Sequence, residues 1–286
     1  MKFAVFTVSV PEWAPAEAVQ RIAEAGYDGV EWRVTDQQDS PTGMPSFWAG
    51  NRCTWPASSF PDDVPAIKEL TDDAGLEMPA LGTYLQPGQF EQIDTTMRAA
   101  AQLGVRQLRV SSGGYEADRN VTGQWNERRK QYAEVARLAA QHGVRANIEI
   151  HHQQLTPSPH AAAAFLDGLD PEHAGAIFDI GNMVWEGWTE YRFGLEALGP
   201  YLAHVQVKNG AVVTSGVTRD DGTVEWSNAQ LSLREGFADI PAFLTALTQV
   251  GYDGWVSVED FSDLGGQTRA ERIADNLAYL KQASAD

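Results

Sequence analysis

Short runs of apolar and β-branched residues alternate along the chain with longer segments in which apolar positions recur every three to four residues. That rhythm marks repeated strand and helix units around a parallel sheet. Eight such units can be counted, with strands expected at 3–8, 29–34, 78–84, 107–111, 145–150, 176–180, 203–207 and 255–259. Helices are expected at 15–25, 61–74, 90–103, 124–141, 159–166, 192–197, 240–250 and 267–283. The predicted fold class is α/β, a single (β/α)8 TIM barrel occupying 1–286 as one domain. Two turns between helix and strand are nearly the same phrase, Ala25-Gly26-Tyr27-Asp28-Gly29-Val30 and Val250-Gly251-Tyr252-Asp253-Gly254-Trp255. Glycine just past a helix takes the left-handed conformation without a Cβ clash, so the echo points to equivalent units at the two ends of a closed ring.

The connections 35–60 and 209–237 are long and carry glycine and aromatic residues, among them Phe47, Trp48, Trp55 and Trp226. Loops of that length in a compact domain are usually lids or binding surfaces, and both follow strands on the face where barrel active sites lie. Their competing role is subunit packing through exposed aromatics. The stretch Thr218-Arg219-Asp220-Asp221-Gly222 has the chemistry of a hairpin tip.

Charge narrows the function. With 21 Lys and Arg against 39 Asp and Glu, the formal net charge is −18. Such a field repels phosphate backbones and anionic lipid, so neither nucleic acid nor membrane is expected as a partner. No apolar run reaches the length of a membrane span. Cys53 is the single cysteine, which excludes an internal disulfide, and Met1-Lys2-Phe3 opens no secretory signal, so a cytoplasmic location is expected.

Four polar residues each end a strand-like run: Glu149, Asp179, Gln206 and Glu259. In a parallel barrel, strand ends converge on one mouth. Three carboxylates there require a cation, because burying an unpaired carboxylate costs several kcal/mol or forces it to protonate. Carboxylate and amide oxygens are hard ligands, and with imidazoles nearby Mn²⁺ is favoured, ahead of Mg²⁺, Co²⁺ or Zn²⁺. Alternation along the strands adds inward companions: Asn147 and His151 beside Glu149, His204 and Lys208 beside Gln206, and Ser257 beside Glu259. His151 is a candidate general base or a hydrogen-bonding partner of Glu149. His152 is expected to point the other way, toward the helix layer. Lys208 could hold a substrate hydroxyl, His204 reads as a core histidine, and Arg33 and Arg109 are candidates for orienting the substrate or for ion pairs.

On these residues the chain resembles the xylose-isomerase-like barrels, the group of sugar phosphate isomerases and epimerases. The likeness is carried by Lys2-Phe3-Ala4-Val5-Phe6, by Gly26-Tyr27-Asp28-Gly29-Val30-Glu31, and by the Glu, Asp, His/Gln, Glu order on strands five to eight. It implies a metal-dependent enzyme that removes a proton next to the carbonyl of a sugar or keto-sugar, with metal-bound Glu149 and Glu259 as the flanking bases. Ketose epimerases of the group carry a His-x-His phrase where this chain has His204-Val205-Gln206, and the glutamine looks like the hydroxypyruvate isomerase branch. Asn182 stands where epimerases often place a substrate-binding histidine. Six histidines and the acidic charge set aside the abasic-site endonucleases of the same family.

Two chemistries follow from one enediolate. Reprotonation gives isomerisation or epimerisation, and loss of a β-substituent gives a lyase. The lyase resembles the α subunits of C-glycoside deglycosidases, which cleave a 3-keto-glycoside, use a histidine base and work with a small β-rich partner subunit. The expected partners are therefore a sugar or glycoside, and either further copies of the chain or such a subunit. A sugar-binding barrel without catalysis is the third reading. No glycine-rich phosphate cradle follows strand seven or eight, which favours a substrate without phosphate.

Overall fold

The computed structural model describes residues 1–187 and 189–285 and places all eight expected strands in one parallel ring. In chain order the strands are β1 (Lys2–Phe6), β2 (Gly29–Val34), β3 (Thr54–Trp55), β4 (Leu81–Leu85), β5 (Gln107–Val110), β6 (Arg145–Glu149), β7 (Ala174–Asp179), β8 (Leu202–Val207), β9 (Asn209–Thr218), β10 (Val224–Leu231) and β11 (Trp255–Val258). The ring runs β1-β2-β4-β5-β6-β7-β8-β11 and closes where β11 pairs back onto β1, Lys2 opposite Trp255. The short β3 hangs from β2, with Arg33 opposite Thr54.

Around the ring lie α1 (Pro15–Glu24), α2 (Phe60–Asp73), α3 (Phe90–Leu103), α4 (Val121–His142), α5 (Pro159–Leu166), α6 (Ile180–Glu186), α7 (Tyr191–Leu198), α8 (Ile240–Gln249) and α9 (Arg269–Ala283). Each turns an apolar stripe inward; on α3 it is Ile93, Met97, Ala100 and Leu103, the spacing of one helix face. The outward residues of the strands meet these stripes, as Trp32 does when its indole N–H donates to Thr71 on α2 at 3.1 Å. The two echoed phrases lead into β2 and β11, which flank β1 on either side. In both, the first glycine has positive φ, 87° at Gly26 and 77° at Gly251.

Residues 209–237 hold an antiparallel hairpin, β9 with β10, whose tip is the expected Asp220-Asp221-Gly222 turn. Its two strands and, elsewhere, one helix were not expected. A short helix, α6, starts directly at the end of β7 because the Asp179 side chain caps it, accepting from Gly181 and Asn182 backbone N–H groups.

Candidate active site

Inward-facing residues near the strand ends meet across the ring. Glu149 on β6, Asp179 on β7 and Glu259 just past β11 are buried, and one oxygen of each lies within 4.8 Å of the others. They come from three strands separated in sequence, so the parallel topology alone brings them together. Lys208 extends from the end of β8 into the middle of them. Its ammonium donates to Asp179 and to Glu259 and lies 3.9 Å from Glu149. Gly181 makes room for it: a Cβ there would lie 2.3 Å from Lys208 Cγ.

Glu149 and Asp179 have further partners. Arg109 on β5 pairs with Glu149 and donates to the Thr83 carbonyl at 2.8 Å, its guanidinium lying over the Tyr84 ring. Asn182 on α6 donates to Glu149 and to Asp179, each at 2.9 Å. Burial works to raise the Glu149 carboxyl, but Arg109, joined by His151 and Lys208, overrides it and holds Glu149 down at about 2. At Asp179 and Glu259 burial wins over Lys208, with the neighbouring carboxylates adding to it, and pushes them up to about 6 and about 7. Both therefore hold a proton more readily than a free carboxylate does while only the protein's own cations offset them.

Above this floor opens a cavity of about 340 Å³. Glu149, Glu259, Lys208, Arg109 and Asn182 reach it, and Trp48, Tyr84, Trp185 and Phe261 form an aromatic wall. Gln230, at the base of the β9 and β10 hairpin, closes one side. His151 lines it too. Its Nδ1 lies 2.6 Å from the His152 carbonyl, which can only accept, so Nδ1 carries the proton and Nε2 is the basic nitrogen of the neutral ring.

His152 does not face the helix layer. It stacks on His151 at 4.2 Å and lines the same cavity. Strand β6 ends at Glu149 and the chain turns, with Gln153 in the left-handed region at φ 63°, so strand alternation no longer governs residues 151–154. Burial, with the charges of His151 and Lys208, lowers the His152 pKa to about 4.

The other sequence candidates divide. Gln206 is fully buried, opposite Asp179 in the β7 and β8 register, and its Oε1 has no hydrogen-bond partner. His204 is the buried, hydrogen-bonded core histidine expected of it. Arg33 is held by Gln37 and Thr54 and does not line the cavity. The residue missed is Glu31 on β2, fully buried and bonded to both Gln206 and His204. Its signal was available: on the alternation of Glu31 with the outward Val30 and Trp32, a carboxylate points into the barrel. Among the described residues a second acidic group, Asp170, Glu172 and His173, is largely exposed and far from this mouth in the fold.

The sequence profile of the xylose isomerase-like TIM barrels matches residues 19–283. No curated protein matches the chain. Solved structures with the same fold include the 3-keto-D-glucoside 4-epimerase YcjR from E. coli, at 17% identity and TM-score 0.71, covering 99% of both chains. A D-psicose 3-epimerase crystallised with D-fructose aligns over 100% of both chains at 14% identity and TM-score 0.72. The IolI protein, with a bound zinc atom, aligns over 100% of this chain and 98% of its own at 15% identity and TM-score 0.74.

Proposed function

The chain belongs to the xylose isomerase-like TIM barrel family, and from that premise we propose that it is a divalent-metal-dependent enzyme acting on a keto-sugar. In this reading it removes a proton beside the carbonyl and returns it, as an isomerase or epimerase. The observation that carries it is the meeting of Glu149, Asp179 and Glu259 within 4.8 Å, with Glu149 and Glu259 lining an open cavity. The donors fit a hard cation: three carboxylates, two of them raised by burial as they stand, and the buried, unpartnered Oε1 of Gln206. These four residues would hold the ion, Mn²⁺ being favoured by the mixture of oxygen ligands and nearby imidazoles.

Such an ion would polarise the substrate carbonyl and stabilise the negative charge that develops on its oxygen. The chain's own groups do the rest. His151 turns its Nε2 nitrogen, the one not bonded to the His152 carbonyl, to the cavity and is the proposed base, with Glu149 and Glu259 the alternatives. Lys208 and Asn182 reach the same space and can bind substrate hydroxyls, while Arg109 holds Glu149 in place and adds positive charge beside it. The aromatic wall offers ring faces to a sugar. Two of the structural neighbours carry keto-sugar substrates in their names, which supports the substrate class.

The test is hydrogen exchange. Keto-sugars and 3-keto-glycosides incubated with the protein and Mn²⁺ in D₂O should gain deuterium at the carbon beside the carbonyl. Glu149→Gln should lose both metal and exchange, and His151→Ala should keep metal and lose exchange. No exchange across the panel by metal-loaded protein would leave a sugar-binding barrel. Release of an aglycone from a 3-keto-glycoside would assign the lyase outcome instead.

A further inference from the structure

Glu31 sits inside the ring on β2, with β1 and β11 between it and β8, and has no exposure to solvent. Its two oxygens are divided between two residues of one strand: Oε1 accepts from Gln206 Nε2 and Oε2 from His204 Nε2, both at 3.0 Å. A carboxylate has no hydrogen to give, so a glutamine amide beside it has one tolerable orientation, with NH₂ toward the acid. Turned over, the amide would set its carbonyl oxygen against a buried carboxylate and leave its NH₂ unpaired. The orientation seen has a cost at the other end. Gln206 Oε1 is buried and accepts nothing. Buried acceptors are nearly always satisfied, so one held open by a charged neighbour marks a place where a ligand belongs.

We propose that Glu31 is a positioning residue: it fixes the Gln206 amide so that the carbonyl oxygen, and not the NH₂, is presented to the cation. The proposal rests on the metal reading above and extends it to a residue outside the ligand set. An amide ligand needs such a guide where a carboxylate would not, because only one of its two ends can bind a cation. His204 completes the device by occupying the second Glu31 oxygen, which keeps the carboxylate from swinging away from Gln206.

A double-mutant cycle read by Mn²⁺ uptake separates positioning from mere packing. Apo protein is titrated with Mn²⁺ and the free ion is followed by electron paramagnetic resonance, for wild type, Glu31→Met, Gln206→Glu and the double variant. In the Gln206 background, Glu31→Met should weaken Mn²⁺ binding roughly 10-fold or more, the range seen when the partner orienting a ligand is lost. In the Gln206→Glu background the new ligand is oxygen at both ends and needs no guide. There, removing Glu31 relieves two facing carboxylates and should leave binding equal or tighter. A residue that only supports the fold would weaken binding in both backgrounds, and that result overturns the assignment. If Glu31→Met does not fold by circular dichroism, Glu31→Leu is used in the same cycle, with the loss again required in the Gln206 background alone. Wild type that takes up no Mn²⁺ sinks the metal reading itself. Wild type that binds while Glu31→Met binds equally well sinks the Glu31 assignment alone.

Discussion

Lys208 is the residue on which the charge of the buried acidic site balances. Its ammonium is buried between Asp179 and Glu259, within reach of Glu149, and those carboxylates raise its own pKa against the effect of burial. Removing one partner of a buried charge cluster typically costs about 3–5 kcal/mol, because the remaining charges are left uncompensated or must take up protons. Lys208→Met should therefore lower stability by about that amount in the presence of a chelator, measured by urea unfolding. Under the proposed function a divalent cation replaces the missing charge, so most of the loss should return when Mn²⁺ is added. A variant equally unstable with and without Mn²⁺ would mean that Lys208 acts only as internal counter-ion and that no metal joins the carboxylates.

At the scale of elements, legibility follows the local period. All eight ring strands were visible, and α3 and α5 were expected at the residues where they lie, because burial on both faces of a strand and one face of a helix leaves a strong pattern. The carboxylates that gather at the mouth were visible for the same reason, as polar ends to apolar runs. Glu31 was passed over because a charged residue inside a strand reads as ordinary until its partner on another strand is known. His152 was misplaced because strand parity was carried past Glu149, where the backbone had already turned. The hairpin's tip was legible from its turn chemistry, but its strands were not, since neither face is buried along most of its length and no alternation of apolar and polar residues was imposed on it. Trp226 is 66% exposed, and Val212 and Val217 are exposed near it. Its distal half therefore contributes little to the core. Replacing 213–227 by Asn-Gly, which joins the paired Val212 and Asn228 through a two-residue turn, should change stability by no more than about 1 kcal/mol. Thermal unfolding checks this, and a loss of several kcal/mol would mean the hairpin is packed in a way its exposure denies.

For the whole molecule, the net charge of −18 and the pI of about 4.6 act in two ways that can be separated. Surface acids repel one another over distances comparable to the Debye length, so monovalent salt should stabilise the fold modestly by screening. That effect is spread over the surface and should be the same in wild type and in Asp179→Asn. A divalent ion bound at the mouth stabilises by mass action, by about 2.7 kcal/mol when its concentration is 100 times its Kd. For a domain of 286 residues that corresponds to a rise in Tm of roughly 4–5 °C. Micromolar Mn²⁺, too dilute to screen surface charge, should raise the Tm of wild type and leave that of Asp179→Asn nearly unchanged, while 0.3 M KCl shifts both alike. The acidic surface is then a field that gathers cations, and the buried carboxylates are the point at which one is held. Equal response of both proteins to micromolar Mn²⁺ would place the ion on the surface and separate the field from the site.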